Sequence, residues 1–302
     1  MKYLKYFTNA SDYQTFKESE EYILPNVSYV ENSDVVMYDP YVEPASPNVV
    51  CTYYTSDPYT NVSLVSYYGW NGFTNMIIDG VKMDIAAEYV FESSGLHTVE
   101  LILYDEKTLG YSSFEDCSNL TSVTIPDSVT TIGNGVFNYC ASLTSVTIGS
   151  GVTLIDNNIF NNCSNLTSIV VSEGNTVYDS RNNCNCIIET ATNKLYLACN
   201  NSFIPDSVTT IGDYAFGGCS GLTSINIPDS VTTIGCGAFN YCTSLTEIIC
   251  NAAIAPTLQD KYVFERIAEN GVLKAPSGSD YSSWLSDDRY YLGYYNWTVQ
   301  YI

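Results

Sequence analysis

The chain has 302 residues, of which 33 are acidic and 11 basic, and its formal net charge is −22. Hydrophobic residues make up 45% of it, which is enough for a large buried core in one or two domains. Because nucleic acids and anionic membrane surfaces attract Lys and Arg, this charge makes both poor partners. It favours solubility and mutual repulsion at high local concentration.

The sequence carries no signal for membrane insertion. No stretch approaches the ~18 apolar residues that a membrane span needs. The N-terminus, MKYLKYFTNASDYQTF, has two lysines but neither an apolar core nor a small-residue cleavage site. If Met1 is the natural start, the sequence predicts a protein that is not exported by the usual secretory route.

The N-terminal segment, residues 1–60, is rich in Tyr, Asp, Glu and Pro and shows little periodicity. The run from Asp12 to Tyr22 has some helical potential, and the runs 27–30 and 35–38 have the composition of short strands. Prolines at positions 25, 40, 44, 47 and 58 break up anything longer. We interpret this segment as an extended arm that becomes ordered against a partner. A leader without fixed structure is the alternative.

From residue 61 the pattern changes to short β-rich runs separated by glycines. These runs are 62–65, 76–79, 89–91 and 97–104. We predict a small β-domain over residues 61–108 that leads into the following repeats. It covers their open edge, because an unpaired sheet edge would recruit other strands.

A fixed spacing of cysteines then marks an internal repeat. Cys117, Cys140 and Cys163 are 23 residues apart, and so are Cys219 and Cys242. The interval from Cys163 to Cys219 equals two such periods plus ten extra residues. A constant period of this size is typical of a solenoid, in which each coil stacks on the next.

The unit from Cys117 to Cys140 shows how one coil folds. Its inward positions are Leu120, Val123, Ile125, Val129 and Ile132. The first three follow the L-x-x-L-x-L spacing of a leucine-rich repeat, and strand alternation turns the threonines outward. Residues 126–128 form a turn, because Pro fixes φ and Asp bonds its own backbone. We expect Gly133 to adopt a positive φ and Phe137 to fill the core behind it.

One cysteine per coil predicts a column of small, buried thiols that pack as hydrophobic side chains. Disulfides between neighbouring coils are the alternative, although pairing would strain a regular stack. Cys184 and Cys186 lack a second pair or a nearby His, so we expect no zinc site. No D-x-D-x-D-G loop indicates calcium. We therefore predict no metal and no cofactor.

The ten extra residues lie between Val177 and Phe203. Residues 186–199 have the pattern of two short strands around a turn at 191–193, which predicts a hairpin that extends one coil sideways. Beyond residue 250, a C-terminal cap is expected to close the last coil.

These residues resemble a known family. The unit C-S-N-L-T-S-V-T-I-P-D-S-V-T-T-I-G-x-x-x-F-x-x-C resembles the BspA-like leucine-rich repeats of bacterial and protist surface proteins. The insert N-C-N-C-I-I-E-T-A-T-N-K-L and the tail C-N-A-A-I-A-P-T…Y-Y-L-G-Y-Y-N-W are similar to that family's interrupted coil and C-terminal cap. The resemblance covers residues 109–302 and implies a non-enzymatic adhesion or recognition role.

The N-terminal segment carries a second resemblance. The run K-Y-F-x-N-A-x-x-Y…Y-I-L-P-N-V-S-Y-V is similar to the starts of virion proteins from tailed phages of gut bacteria. This resemblance implies that residues 1–60 attach the chain to a virus particle.

Catalytic side chains are sparse. His97 is the only histidine, so a Ser-His-Asp or Cys-His arrangement has little to work with, and we interpret His97 as a surface or hydrogen-bonded structural residue. From residue 117 to 242 there are eight acidic and two basic residues and no glycine-rich phosphate loop. We predict no enzymatic activity and no catalytic residue. Paired carboxylates for glycoside hydrolysis are the alternative that a count of acids leaves open.

The outward strand residues predict a flat, neutral face dominated by hydroxyl groups. The candidate contact residues on it are Thr121, Thr124, Thr144, Thr147, Thr167, Thr223, Asn226 and Thr246. Such a face suits shallow, polyvalent contact with a glycan or a partner β-surface. The alternative is that Thr is simply favourable on a solvated strand. Trp284 and Trp297 belong to a C-terminal aromatic cluster, which either stacks on sugars or caps the last coil.

The sequence therefore predicts a mainly β protein. An N-terminal arm (1–60) and a small β-domain (61–108) precede a leucine-rich-repeat β-solenoid (109–250) and a C-terminal cap (251–302). The first functional hypothesis is a virion-associated head or tail fibre or decoration protein of a tailed phage. Its arm would bind other virion proteins, its solenoid would contact a host-surface glycan or protein, and it would assemble as a homo-oligomer. The second hypothesis is a BspA-like adhesin of the bacterial cell surface.

Overall fold

The computed structural model describes residues 48–67, 69, 72–156 and 158–302, and the backbone of three short strands before them. These strands are β1 (Tyr3–Tyr6), β2 (Val27–Tyr29) and β3 (Val35–Tyr38). They form an antiparallel sheet in the order β1-β3-β2. The two strand runs predicted in the N-terminal segment coincide with β2 and β3. The helical potential of residues 12–22 lies outside the described residues.

An antiparallel β-module follows. Its strands are β4 (Asn48–Thr55), β5 (Asn61–Ser63), β6 (Phe73–Ile78), β7 (Val81–Asp84), β8 (Glu88–Val90) and β9 (Gly95–Leu103). The four strand runs predicted after residue 61 overlap β5, β6, β8 and β9, so those predictions are confirmed. Strands β4, β9, β6 and β7 are consecutive neighbours in one sheet, and β5 pairs with β8.

The repeats contribute the other strands. In chain order these are β10 (Thr108–Leu109), β11 (Leu120–Thr124), β12 (Thr131–Ile132), β13 (Ser145–Ile148), β14 (Leu154–Ile155), β15 (Ser168–Val171), β16 (Tyr178–Asp179), β17 (Cys186–Glu189), β18 (Lys194–Ala198), β19 (Thr210–Ile211), β20 (Ser224–Ile227), β21 (Thr233–Ile234), β22 (Glu247–Cys250), β23 (Thr257–Leu258), β24 (Val272–Ala275) and β25 (Thr298–Tyr301). Within this part of the chain, short 3-10 helices lie at Arg181–Asn183 and Gly293–Tyr295.

Each coil has three sides. The longer strand of a coil forms the main sheet, and the short Thr-Ile strand forms a second sheet. The third side is a turn that carries a phenylalanine into the core. All pairings between coils of the main sheet are parallel, and β13 pairs with β11 in the register of the cysteine repeat, with Ser145 opposite Ser122. The predicted β-solenoid is therefore confirmed.

The inward positions predicted from the repeat are buried. Leu120, Val123, Ile125, Val129 and Ile132 are each at most 2% exposed. On the third side the phenylalanine rings stack between coils. The ring centroids of Phe114 and Phe137 are 5.5 Å apart, and those of Phe137 and Phe160 are 5.6 Å apart. Because one coil cannot bury its own apolar face, this stacking of equivalent side chains makes a continuous core.

The predicted positive φ at Gly133 is wrong. Gly135, two residues later, has the positive φ of 66°. The reason for glycine at 133 is a close approach between coils. A Cβ atom there would lie 2.9 Å from the backbone nitrogen of Tyr111 and 3.1 Å from the carbonyl carbon of Gly110. Only a residue without a side chain allows the two backbones to stack at this point.

The cysteine column is buried as predicted, and ten of the eleven cysteines are buried. The thiols also make hydrogen bonds that the sequence did not indicate. The Sγ atom of Cys140 donates to the carbonyl of Phe114 at 2.9 Å, and that of Cys163 donates to the carbonyl of Phe137 at 3.0 Å. Burial raises the pKa of the Cys163 thiol to about 12. Through its hydrogen bond, each of these two thiols joins its coil to the preceding one.

The module before the repeats is joined to them through β4. This strand pairs antiparallel with β11, with Cys51 opposite Val123. Val49, Cys51 and Tyr53 alternate along β4 and are fully buried, and the Tyr53 hydroxyl donates to the carbonyl of Leu64. The strand that covers the first coil thus comes from 48–55, which lies within the range that the sequence analysis assigned to the arm.

The extra residues fold as the predicted hairpin, since β17 and β18 pair antiparallel around residues 190–193. The hairpin does not extend sideways. Strand β18 pairs in parallel with β19, and β17 pairs with β16, so the hairpin is inserted in the second sheet between successive coils. The aliphatic side chains of its two strands are buried, and they are divided between the cores on either side of it.

The insertion divides the solenoid. The main sheet is split into two parts. One is a seven-stranded sheet that ends at β15, and the other is a four-stranded sheet that begins at β20. The buried side chains form two clusters with the same boundary. Within the hairpin, Ile187 and Leu197 belong to the first cluster, and Ile188 and Leu195 belong to the second. We call the coils around Phe114–Phe160 the first block and those around Phe216–Phe264 the second block.

Candidate interaction surface

The main sheet of the first block presents an uncharged outer face. Strands β11, β13 and β15 are in register, so equivalent residues form columns across them. The outward columns are Ser122, Ser145 and Ser168, and Thr124, Thr147 and Val170. Thr124 and Val170 are exposed, and the others are half-buried. The sheet thus offers short hydroxyl side chains at regular spacing on a flat surface.

The same columns differ in the second block. Asn226, Ile249 and Lys274 occupy one column, and Ser224, Glu247 and Val272 occupy the other. The Nζ atom of Lys274 lies 2.5 Å from a carboxylate oxygen of Glu247. The side-chain amide of Asn251 donates to Oδ1 of Asn226 at 3.0 Å. This part of the face is polar but mixed in charge and size.

Several candidate threonines form a ladder of hydrogen bonds between coils. The Oγ1 atom of Thr121 donates to the carbonyl of Thr52 at 2.9 Å, that of Thr144 to Thr121 at 2.9 Å, and that of Thr167 to Thr144 at 3.3 Å. In the second block, Oγ1 of Thr246 donates to the carbonyl of Thr223 at 3.4 Å. The hydroxyl protons of Thr121, Thr144, Thr167 and Thr246 are therefore used within the fold.

A second threonine ladder follows the short strands. The Oγ1 atom of Thr153 donates to the carbonyl of Thr130, and that of Thr232 donates to Thr209, both at 3.4 Å. Because the same arrangement occurs on two sides of the solenoid, these threonines stabilise the stack wherever they recur. Thr124, Thr147 and Thr223 differ, since their hydroxyls make no hydrogen bond to another described residue. They are the candidate threonines whose hydroxyls remain available to a ligand.

The two tryptophans are not on the surface, and their inclusion among the candidate contact residues is corrected. Trp284 is 0% exposed and Trp297 is 5% exposed. The indole nitrogen of Trp284 donates to the carbonyl of Pro256 at 2.9 Å, and that of Trp297 donates to Ala268 at 2.8 Å. Trp284 also packs edge-on against Tyr281, with ring centroids 5.1 Å apart. Both rings close the end of the core and cannot stack on a sugar.

His97 is a satisfied structural residue. Its Nδ1 atom lies 2.8 Å from Oδ2 of Asp79, and its Nε2 atom lies 3.0 Å from the carbonyl oxygen of Ser93. The imidazole is 6% exposed and stacks on Phe91, with ring centroids 3.9 Å apart. Both ring nitrogens are occupied and no nucleophilic side chain is among these contacts.

The described residues provide neither a metal site nor a membrane-spanning helix. Among them, no cluster of three or more His, Cys, Asp or Glu side chains has a geometry that could hold a metal ion. None of the helical segments in the described ranges has the length and apolar character of a membrane-crossing helix.

The repeats match a known family. Residues 84–197 and 193–278 match the family described as BspA type leucine rich repeat region, in six copies. Together these segments cover more than half of the chain. The chain belongs to this family. The BspA-type repeats account for the solenoid, for the insertion between its two blocks and for part of the module before it. No curated protein sequence matches the chain.

Solved structures with similar repeats come from several bacteria. A leucine-rich repeat protein from Eubacterium ventriosum is 21% identical with a TM-score of 0.32, over 57% of this chain and 64% of that one. The pneumococcal vaccine antigen PcpA is 16% identical with a TM-score of 0.39, over 56% and 54%. A leucine rich cell surface protein from Faecalibacterium prausnitzii is 18% identical with a TM-score of 0.30, over 65% and 80%. This chain thus spans less than two thirds of the length of the first two proteins.

The sequence analysis of this BspA-type protein did not include the serines of the main-sheet face among the candidate contact residues. Ser122, Ser145 and Ser168 are in register on three neighbouring strands and lie between the threonine ladder and the column of Thr124. The 23-residue period would have found them, because any residue that recurs at the same phase must lie in one column. The prediction weighed only the threonines.

Proposed function

We propose that this protein is a non-enzymatic recognition protein of the bacterial cell surface that contacts another protein through its main sheet. The observation that carries the proposal is the outer face of the first block. It is an ordered, flat surface without charged side chains in a chain whose net charge is −22. Membership of the BspA-type family supports it, because the repeats resemble those of bacterial surface proteins.

A neutral face has a physical reason in such a protein. The acidic excess keeps the chain soluble and repels other anionic surfaces, while an uncharged patch forms contacts without the cost of desolvating charges. A rigid repeat array also repeats the same small contact many times. Weak contacts therefore add up through multivalency.

The virion hypothesis has less support. It rests on residues 1–60, which lie outside the segments that match the family. Their attachment to other virion proteins and the self-association of the chain remain predictions. The bacterial surface is therefore the location that we propose.

Localisation on expressing cells tests the first half of the proposal. Antibodies against the solenoid are applied to intact and to permeabilised cells that carry the gene. We expect equal labelling of both, with an abundant cytoplasmic enzyme labelled after permeabilisation only. Labelling that requires permeabilisation would contradict a surface role.

Introduction of positive charge on the face tests the second half. Fluorescent protein is added to cultured epithelial cells before and after protease treatment. We expect binding that protease removes and that the double variant Thr124→Arg/Thr147→Arg weakens. The single variant Thr124→Arg should also weaken it, and Leu154→Arg is its matched control, because Leu154 is 52% exposed on the second sheet and receives the same single charge there. Binding that the control variant weakens equally would show that net charge, and not the face, determines contact.

A further inference from the structure

A groove lies on the third side of the solenoid, where the repeat is interrupted. It has a cavity volume of about 540 Å³ and lies between the coil of Phe160 and the coil of Phe216. Its rim is formed by Tyr139, Tyr214 and Tyr241 together with the side-chain amides of Asn158, Asn161 and Asn162. The main-sheet face lies on a different side of the coils.

The groove exists because the coils are not continuous here. Elsewhere on this side, backbone hydrogen bonds join neighbouring coils, as from Tyr139 to Asn161 at 2.9 Å and from Gly218 to Asn240 at 2.8 Å. Across the break, the described residues contain no such bond between the Phe160 and Phe216 coils. Phe160 is 8% exposed, whereas Phe137 and Phe239 are 0% exposed. The stacked rings of the first block therefore end at an opening, whereas Phe216 on the other side of the break is 0% exposed.

The opening is supported from below. Residues 197–200 leave the hairpin and pass beneath it. The side-chain amide of Asn200 donates to the carbonyl of Ser164 at 2.8 Å and accepts from the backbone nitrogen of Gly221 at 2.9 Å. One asparagine thus bridges the two blocks at the break. The groove is a built part of the stack with a defined floor.

A column of residues with positive φ crosses the groove. The residue before each repeat cysteine, and before Ile267 at the equivalent position of the next coil, has a φ between 60° and 78°; in order along the stack these residues are Asp116, Tyr139, Asn162, Gly218, Tyr241 and Arg266. Asn and Gly adopt this conformation readily, whereas Tyr does so at a cost of about 1 kcal/mol or more. Asn162 and Gly218, which adopt a positive φ readily, lie at the groove. Tyr139 and Tyr241 lie one coil away from them on either side.

This order leaves the ring of Tyr241 open toward the groove. The guanidinium carbon of Arg266 lies 4.7 Å from the ring centroid of Tyr241, so Arg266 covers the ring on the side of the following coil. On the other side the neighbour in the column is Gly218, which has no side chain to cover it. Tyr139 is 49% exposed and Tyr241 is 42% exposed. Both rings therefore border the groove with accessible surface.

The polar groups at the rim are unused. The side-chain amides of Asn158 and Asn162 and the hydroxyls of Tyr139 and Tyr241 make no hydrogen bond to another described residue. The lining contains no Asp, Glu, Lys or Arg. A site without charge in a chain of net charge −22 selects neither a cation nor an anion by ion pairing. Aromatic faces combined with free amides match a neutral ligand with apolar faces and a rim of hydroxyl groups.

We propose that this groove binds a neutral oligosaccharide. The tyrosine rings stack on the C–H faces of pyranose rings, and the amides exchange hydrogen bonds with the hydroxyls. A Cβ atom on Gly218 would lie 3.4 Å from the backbone nitrogen of Asn162, so these two positions are direct neighbours. Tyr139 and Tyr241 are then about three inter-coil spacings apart, on the order of 15 Å. That span fits several linked sugar rings.

The inference rests on the proposed recognition role and adds a ligand class and a second site. Purified protein is titrated in a calorimeter with maltohexaose, cellohexaose, xylohexaose and mannohexaose at up to about 5 mM. We expect at least one to bind. The variants Tyr139→Ala and Tyr241→Ala should each weaken it about tenfold or more, and Asn161→Trp, which fills the groove, should abolish it.

Controls separate the site from the fold. Tyr104→Ala should leave binding unchanged, because Tyr104 is 79% exposed outside the groove. Tyr139→Phe retains the ring and removes only the hydroxyl, so it should weaken binding less than Tyr139→Ala does. Absence of binding by all four oligosaccharides, or binding that survives Asn161→Trp, overturns the inference. Loss of epithelial-cell binding in the Thr124→Arg/Thr147→Arg variant with unchanged oligosaccharide binding would affect the main-sheet proposal alone.

Discussion

The two blocks of the solenoid contain nearly the same unit in different surroundings. Residues 117–140 and 219–242 share most of their letters. Their internal geometry agrees, because Cys140 donates to Phe114 at 2.9 Å and Cys242 donates to Phe216 at 3.1 Å. Their neighbours differ. The first block continues into the antiparallel strand β4, whereas the second continues through β22 and β24 to the parallel strand β25.

This comparison separates two levels of structure. A coil is determined by the residues of its own repeat, since the same inward pattern produces the same turn, ring and thiol positions in both blocks. What lies on each side of a block depends on residues far away in the chain. The hairpin at the boundary shows this most directly, because adjacent residues of one strand belong to different cores.

High pH should act on both blocks equally and produce the largest effect. Burial raises the pKa of the repeat thiols, to about 12 for Cys163, whereas an unfolded cysteine ionises near 9. Between these values the unfolded chain binds fewer protons, so each such thiol lowers stability by about 1.4 kcal/mol per pH unit. We expect the free energy of unfolding in urea with reductant to be constant below about pH 8 and to fall steeply above pH 9.

The half-buried Cys236 provides the control for this pH dependence. Cys236→Ser should preserve the slope, because ten other thiols remain buried. An unfolding free energy that stays level from about pH 8 to 10 would contradict the prediction.

The phenylalanine column should distinguish the middle of a block from its end. Phe137 stacks between Phe114 and Phe160, whereas Phe160 has a stacked ring on one side and the groove on the other. We expect Phe137→Ala to cost about 4 kcal/mol and Phe160→Ala about 1 kcal/mol less, as measured by chemical denaturation. Phe239→Ala and Phe216→Ala form the matched pair in the second block. If both members of each pair lost the same free energy of unfolding, a ring at the break would be packed as tightly as a ring in the middle of a block.

Adjacent residues of the hairpin should destabilise different blocks. Ile187 is packed in the first core and Ile188 in the second, and both are 0% exposed. We expect each substitution to Ala to cost about 3 kcal/mol. Hydrogen exchange should show faster opening around β13 and β15 in Ile187→Ala and around β20 and β22 in Ile188→Ala. The same exchange pattern in both variants would mean that the two blocks unfold as one unit.

The threonine ladder should give the smallest effect. The hydroxyl of Thr144 donates to the carbonyl of Thr121 in the preceding coil. Thr147, in the same coil as Thr144, makes no such hydrogen bond. Replacement of Thr144 by the isosteric Val should cost about 1 kcal/mol, and Thr147→Val should change stability by less than about 0.5 kcal/mol. Urea denaturation of both variants measures the difference. If Thr147→Val lost more stability than Thr144→Val, the assignment of the stabilising inter-coil hydrogen bond to Thr144 would be wrong.

Repeat period and strand alternation predicted most of the fold. The 23-residue spacing placed Leu120, Val123 and Ile125 in the core, and the pattern of residues 186–199 placed the hairpin strands. Local pattern did not predict the position of the hairpin within the second sheet, because that depends on pairing with β16 and β19. Trp284 was also ambiguous, since an aromatic side chain looks the same in a sequence whether it is buried or exposed.

The amino-acid sequence specifies the coil locally, because the hydrophobic period and the turn residues act within a single repeat. The roles of the outward residues depend instead on how the coils stack. The hydroxyl of Thr144 reaches a carbonyl of the preceding coil, and Tyr139 and Tyr241 are brought to one groove from distant positions in the chain. Hydrogen bonds and ring contacts of this kind depend on distances between coils, and those distances exist only after the chain has stacked.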